Sequence, residues 1–383
     1  MTSSTEPTTG PATAVHFGWV SLFQDLGSKM VVPIVPLYLT VALGASPLVV
    51  GIVDGVAAAT VAVVAPLVGR VVTPRRAPGL VRLGYGLSSL AKVALLAAST
   101  WLLVLGVRVV DRAGKGIRDA PRDLLLAGSR PDRQASAFGI QQAMDKLGGA
   151  IGPLIGLAVY RGFDESFDAV FAAAFLPCAI SVILLLRRFD TTADPAPTGE
   201  SSRVASLAVV QRRRIAILGL GAAATVPVSL LIVRGLNQGA DASTVLIAFA
   251  LLRTATAVFA IPGGVLADRF GAGRMVALGQ AVLAAAFLVA LVTTAASALW
   301  FVLVLVGVSD ALLRAPTKAW VLQSAGAERR GAVLGAWNGT SAGAGLIAGL
   351  AAGLLWGDDG TVPLIISAAT VSVAAVAIWA WRD

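Results

Sequence analysis

The chain has 383 residues, of which 57% are hydrophobic and only 13% are charged. A soluble domain carries roughly 25% charged residues, so this composition excludes a soluble globular fold, which could not keep so much apolar surface out of water. The formal net charge of +9 does not point to nucleic acid as a partner, because the basic residues sit between apolar runs rather than in one patch.

Lipid as solvent removes the difficulty. A spanning helix needs roughly 20 apolar residues to cross a hydrocarbon core of ~30 Å. The alternative, a β-barrel, would alternate apolar and polar residues over strands of ~10 residues. Here the runs are continuous and rich in Ala and Leu, so they predict helices.

In chain order the expected helices are 15–40, 48–70, 80–98, 101–122, 135–160 and 166–187. A second set follows at 213–236, 241–266, 275–296, 298–320, 331–356 and 361–381. The expected fold is therefore an all-α membrane protein with twelve transmembrane helices in two six-helix bundles, 15–187 and 213–383. Residues 188–212, rich in Thr, Ser, Pro and Ala, read as a cytoplasmic linker. Residues 1–14 read as a disordered cytoplasmic tail, without the basic-then-apolar order of a cleaved signal peptide.

Orientation follows from the Arg residues, because cytoplasmic loops carry an excess of positive charge. The even connections hold Arg75 and Arg76; Arg130 and Arg133; Arg188, Arg203, Arg212, Arg213 and Arg214; Arg269 and Arg274; and Arg329 and Arg330. The odd connections are uncharged at 41–47, 97–100 and 296–298, and acidic at Asp164, Glu165, Asp168, Asp358 and Asp359. This places both termini in the cytoplasm of a protein spanning the cytoplasmic (inner) membrane.

Metal chemistry is poorly supported. His16 and Cys178 are single, so neither a histidine cluster nor an intramolecular disulfide is available, and only four Met residues accompany them. No metal and no cofactor are expected.

The two halves echo one another. Trp101-Leu-Leu-Val-Leu opens the fourth helix and Trp300-Phe-Val-Leu-Val the tenth; Asp111 and Asp310 then match in position, as do Lys115 and Arg314. Several ionisable groups fall at membrane depth, where each costs ~2.5 kcal/mol or more and persists only when paired, wetted or useful. They are Asp25, Lys29, Arg108, Asp111, Arg112, Asp145, Lys146, Asp310 and Arg314. Asp25 and Lys29 are one turn apart, and Arg108, Asp111, Arg112 and Lys115 make one stripe on a helix face. Asp25, Lys29, Arg108, Asp111, Arg112, Asp145, Asp310 and Arg314 are the candidates for a substrate and proton pathway. Lys115 to Asp123 read as a structural salt-bridge network, Asp54 and Arg253 as partners or interface groups, and Lys92 as a group that snorkels or pairs. Four acids (Asp25, Asp111, Asp145, Asp310) face four bases (Lys29, Arg108, Arg112, Lys146), so this set selects neither cations nor anions.

Three stretches resemble the major facilitator superfamily. Gly263-Gly264-Val265-Leu266-Ala267-Asp268-Arg269-Phe270-Gly271-Ala272-Gly273-Arg274 is similar to the family's loop signature, which joins helices 2 and 3 and recurs between 8 and 9. Gly264, Asp268, Arg269 and Arg274 are then the gating motif: Gly264 for close helix approach, Asp268 to cap a helix or pair with an Arg. The first-half copy, Gly69 to Arg76, carries Thr73 where Asp is expected. In the fifth helix Gly139, Gly148, Gly152, Pro153 and Gly156 resemble the antiporter signature of the exporters. Asp111 to Asp123 is similar to a stretch in a bacterial permease branch. Its Gly114-Lys115-Gly116 is no phosphate loop, lacking the earlier Gly and the preceding strand.

The resemblance implies a monomeric secondary transporter, not an enzyme, in which helices 1, 4, 7 and 10 line a central cavity. Two bundles rock about a midplane site, a small-molecule substrate and protons are the partners, and the direction is efflux. The alternatives are proton-coupled uptake of a small polar metabolite, a membrane enzyme, or a receptor that does not transport.

The orientation is checked with single cysteines in a chain lacking Cys178. Cysteines at Ala242 or Gly357 are expected to react with an impermeant thiol reagent from outside intact cells. Those at Ser202 or Ala327 are expected to react only after permeabilisation.

Overall fold

A computed structural model describes residues 10–73, 75–129, 134–187, 208–323 and 330–381. Most of the expected tail and linker, and the loop residues Arg130, Arg133, Arg188, Arg203 and Arg329, lie outside these described residues.

The described chain forms helices joined by short turns. The first span is α1 (Gly10–Val31) with α2 (Ile34–Leu37), continued by a wider π-type turn at Tyr38–Ala42. Then come α3 (Pro47–Val71), α4 (Ala77–Ala94), α5 (Trp101–Ser129), α6 (Gln134–Gly162) and α7 (Phe167–Arg187). The seventh span is α8 (Val209–Ala223) with α9 (Val228–Asn237). It is followed by α10 (Ala242–Phe270), α11 (Ala272–Val292), α12 (Ala298–Leu322), α13 (Arg330–Leu354) and α14 (Thr361–Trp379).

Two expectations need correction. The helices expected at 15–40 and 213–236 are both broken. Pro33 and Pro36 interrupt the first, and Pro227 the second, because proline lacks the N–H that an i→i−4 ladder needs. Apolar character runs on unbroken across both sites. In the seventh span α14 repairs the break: Ser367 Oγ accepts from the Val226 N–H at 3.1 Å. The same hydroxyl lies against the Ala224 and Pro363 carbonyls, the latter at 2.7 Å. Backbone groups freed inside a membrane must find such partners, since no water is there to supply them.

The fourth span also runs beyond its expected end at 122, to Ser129. Its charges do not stop it because they pair along the helix: Arg118 with Asp119 at 3.9 Å, Arg122 with Asp119 at 3.6 Å and with Asp123 at 2.8 Å. Arg118 also sits over the Tyr85 ring of α4, 4.4 Å from its centroid. Among the described residues nine spans are long and apolar enough to cross a membrane. The other three, α5, α6 and α13, have the length but carry more polar and small residues.

Packing explains how such polar helices are accommodated. α1 lies along α6 and α7, α4 along α5 and α7, and α10 and α11 along α12. Between the two halves α3 packs on α13 and α6 on α10. The first of these contacts is backbone on backbone: a side chain at Gly51 would strike the Gly349 carbonyl, and one at Gly349 the Gly51 carbonyl. Across α6 and α10, Arg161 Nε donates to Ser243 Oγ at 2.8 Å. The start of α3, the end of α13, the end of α6 and the start of α10 all lie at the end of the bundle away from the first turn of α1. The halves are joined there, and a buried apolar cluster from Met30 and Val50 to Phe249 and Trp356 fills that end.

Ser367→Ala leaves the Val226 N–H buried without its acceptor. A loss of about 1–3 kcal/mol is expected, the usual cost of an unsatisfied buried donor, and thermal unfolding of the purified protein measures it.

A candidate substrate cavity and the ion pairs behind it

A cavity of about 650 Å³ lies between the halves and extends from the break at Pro227 toward Leu218, Lys318 and Trp337. Its wall comes from five spans. α3 supplies Asp54, Gly55 and Ala58, the seventh span Thr225 and Pro227, α11 Gln280 and Leu283, α12 Asp310, Arg314 and Lys318, and α13 Trp337 and Asn338. The seventh and tenth spans are there as expected. The first and fourth contribute no lining residue, and the second, ninth and eleventh take part instead.

Asp310 and Arg314 are the expected pathway residues that the structure puts on the wall. They are four residues apart on α12, and Arg314 Nε lies 2.8 Å from each carboxylate oxygen of Asp310. Thr256 Oγ1 of α10 lies 3.4 Å from Asp310 Oδ2. No described residue bonds the terminal nitrogens of Arg314, whose side chain is 64% exposed.

The matching pair in the first half is built differently. Asp111 turns away from the cavity and toward α4, where Lys92 Nζ approaches its Oδ1 to 2.6 Å. Its other oxygen lies 3.6 Å from Arg108 and 3.7 Å from Arg112. Arg108 reaches back to Asp54 on the cavity wall at 4.0 Å. Ser88 of α4 donates to the Asp111 carbonyl at 3.0 Å. Asp111, Arg108 and Arg112 therefore form a buried network whose outlet to the cavity is Asp54, a residue the sequence marked only as a partner. Lys92 pairs, one of its two expected fates, and Lys115 does not repeat the bond that Arg314 makes.

Asp25, Lys29 and Asp145 form a third group, apart from the wall. Lys29 Nζ lies 3.8 Å from Asp25. Its stem packs beside Gly149 and Gly152 of α6, with the Arg253 guanidinium of α10 also against Gly149. Asp145 is within electrostatic reach of Asp25, Lys29 and Lys115. Lys146, next along, is within reach of Asp310 and Arg314.

The glycines of the fifth span have a plain structural role. A side chain at Gly148 would meet the Leu22 carbonyl, and one at Gly152 the Leu26 carbonyl, so α6 touches the backbone of α1. Gly156 continues the stripe against Met30, and Pro153 is buried beside it. Gly139 faces open space and takes no part.

In the loop signature one assignment is overturned. Open space lies beside Gly264, so it is not the site of close approach. Its neighbour Gly263 is, lying against Leu312 and the Ala311 carbonyl of α12; Gly271 has a conformational role instead, ending α10 and starting α11 at φ +95°, which side chains disfavour. Gly273 lies against Trp320. Asp268 is exposed and bonds no described residue; Arg269 sits 5.5 Å from the Phe270 ring centroid, and Arg274 is exposed.

Gln280, Lys318, Trp337 and Asn338 were missed by sequence reasoning. Gln280 is a lone polar residue in an apolar run and Lys318 lies near a run's end, which are the only signals they gave. Among the described residues no group of three His, Cys, Asp or Glu could hold a metal ion.

Residues 17–234 and 215–383 each match the family model of the Major Facilitator Superfamily. The chain belongs to this superfamily. An uncharacterized MFS-type transporter of Methanocaldococcus jannaschii is 27% identical over 350 residues, covering 88% of this chain and 87% of that protein. The nucleoside transporter NupG superposes with a TM-score of 0.75 at 12% identity, covering 97% of this chain and all of that one (100%). A bacterial homolog of the human lysosomal transporter Spinster, inward-facing and unoccupied, gives 0.67 at 15% identity, over 99% of this chain and 100% of that one. At these identities the structural likenesses speak for the fold alone. The chain is thus a multi-pass membrane transporter of the superfamily, with a lipid bilayer around it and a small molecule as substrate, and it is not an enzyme.

Asp111→Asn removes the charge that compensates Lys92. Breaking a buried pair from one side costs about 3–5 kcal/mol, so this variant is expected to unfold at a markedly lower temperature. Adding Lys92→Met to Asp111→Asn is expected to recover only the share of the loss due to Lys92, because Arg108 and Arg112 still lack the Asp111 charge, as a double-mutant cycle on thermal unfolding would show.

Proposed function

We propose that this chain is a proton-coupled secondary transporter of the cytoplasmic membrane, working as a monomer with both termini in the cytoplasm. Its halves, 15–187 and 213–383, rock about the cavity to expose it alternately to the two sides. The observation that carries the reading is the Asp310–Arg314 pair on the cavity wall. A carboxylate there is held by one cation and faces the space a solute would fill. A proton on Asp310 removes the charge that holds Arg314, and a charged solute competes for one partner or the other. Proton and solute occupancy are thereby linked.

The direction depends on which partner the solute takes. Export by exchange is the reading favoured by the resemblance of Gly148, Gly152, Pro153 and Gly156 to the exporters' signature. It requires a solute that competes with the proton for Asp310. A second reading, uptake with the proton, is favoured by the free terminal nitrogens of Arg314. A solute that takes Arg314 leaves Asp310 to the proton, so both move together. The buried Asp111 network, in the stretch that resembles a bacterial permease branch, serves in either case as the rigid wall behind Asp54. Asp268, exposed beside the turn at Gly271, acts between the halves at the cytoplasmic face.

Asp310→Asn keeps the shape and removes the charge. It is expected to abolish accumulation driven by an imposed pH gradient in proteoliposomes while sparing equilibrative exchange. Accumulation at the wild-type level would remove Asp310 as the coupling group and pass the role to Asp25 or Asp145.

A further inference from the structure

Building on the uptake form of the transport reading above, in which the solute takes Arg314, we infer that the cavity takes a small amphiphilic organic anion, its carboxylate seated between Arg314 and Lys318 and a donor group of its body on Gln280. Arg314 and Lys318 are one turn apart on α12 and both line the cavity, a spacing that puts them side by side. Arg314 uses only its Nε internally, so its terminal N–H groups remain for a planar anion, which a guanidinium binds in a two-pronged fashion.

Lys318 makes no ion pair with a described residue. The acid within its electrostatic reach, Asp123, is already bonded to Arg122 at 2.8 Å. The two acids of the wall are likewise engaged, Asp54 with Arg108 and Asp310 with Arg314. The wall thus carries two acids, Asp54 and Asp310, and two bases, Arg314 and Lys318, and Lys318 is the one of the four that makes no ion pair with a described residue. Of the four-against-four set read from the sequence only Asp310 lies on the wall.

Gln280 supplies the second handle. It is only 6% exposed, it lines the cavity, and its Oε1 has no hydrogen-bond partner. A buried acceptor left alone is costly, and a turn of the Gln280 amide toward the cavity would pair it with a hydroxyl or amide N–H of the solute. The rest of the wall is largely apolar, with Leu218, Leu283, Leu313 and Trp337. A volume of about 650 Å³ suits a small molecule with an apolar body and one charged head. A cationic solute would have to displace Arg108 or Arg314 from its acid, and a neutral one would leave Lys318 uncompensated.

The test uses the full chain in lipid nanodiscs and three probes of similar size: salicylate (anion with a hydroxyl donor), benzylamine (cation) and benzamide (neutral). Binding is read as a rise in unfolding temperature with probe concentration. Salicylate is expected to stabilise the protein, with benzylamine and benzamide at least tenfold weaker. Lys318→Gln is expected to weaken salicylate at least tenfold and Gln280→Leu several-fold, while both variants unfold near the wild-type temperature without probe. Equal stabilisation by benzylamine or benzamide, an unchanged salicylate affinity in Lys318→Gln, or no stabilisation by any probe at millimolar concentration would overturn the assignment. The transport reading is judged separately, by whether a single cysteine at Ala58 on the cavity wall changes its thiol reactivity when a pH gradient is imposed.

Discussion

Lys92 and Asp111, 2.6 Å apart between α4 and α5, set the terms for the rest of the molecule. A lone charge in hydrocarbon is expensive, and a pair is tolerated only when both members are held in place. Holding them requires α4 and α5 to be close. They touch through Gly84 and Gly114, whose backbones leave no room for a side chain. Around this clamp Arg108 and Arg112 find their acid, and Asp54 finds Arg108. The ionisable residues of this network thus face one another, with Asp54 alone among them on the cavity wall.

The second half does otherwise with a similar sequence. Asp310 has one cation rather than three, and that cation faces open space. The matched residues of the two halves thus sit in different surroundings: Asp111 is enclosed by three cations, and Asp310 lies on the cavity wall with one. The offset that matches Asp111 with Asp310 puts Leu291 where α4 has Lys92, so α11 brings no second cation to Asp310 at that position. The same fold therefore yields a pair locked from both sides in one half and a pair locked from one side in the other.

The number and order of spans were legible because each is an apolar run of nearly membrane length. The breaks at Pro33 and Pro227 were not, because apolarity continues through them; at Pro227 the partner, Ser367 of α14, marks where the chain opens. Asp310 and Arg314 were legible as a helical pair, since one turn of spacing is local. Asp111 was misjudged because its true partner is 19 residues away on another helix, a relation that spacing on one helix does not contain. Lys318 and Gln280 drew no notice because one polar residue in an apolar run is common, and only the cavity makes them convergent. Gly264 illustrates the opposite error: a glycine in a recognisable motif was given a packing role that Gly263 and Gly273 hold.

The contact of Gly51 with Gly349 has a mechanical consequence. It joins the halves by backbone touching backbone, with no side chain reaching across at that point and no charge involved. Dispersion attraction of this kind falls away within an ångström or so of separation. Such a contact is lost at small separations and carries no charge of its own, while the buried apolar cluster from Met30 and Val50 to Phe249 and Trp356 adds an attraction that scales with area at the same end. The polar tie between the halves at this end among the described residues, Arg161 to Ser243 across α6 and α10, is a single bond to a neutral hydroxyl, so neither this tie nor the glycine contact joins the halves by a pair of opposite charges.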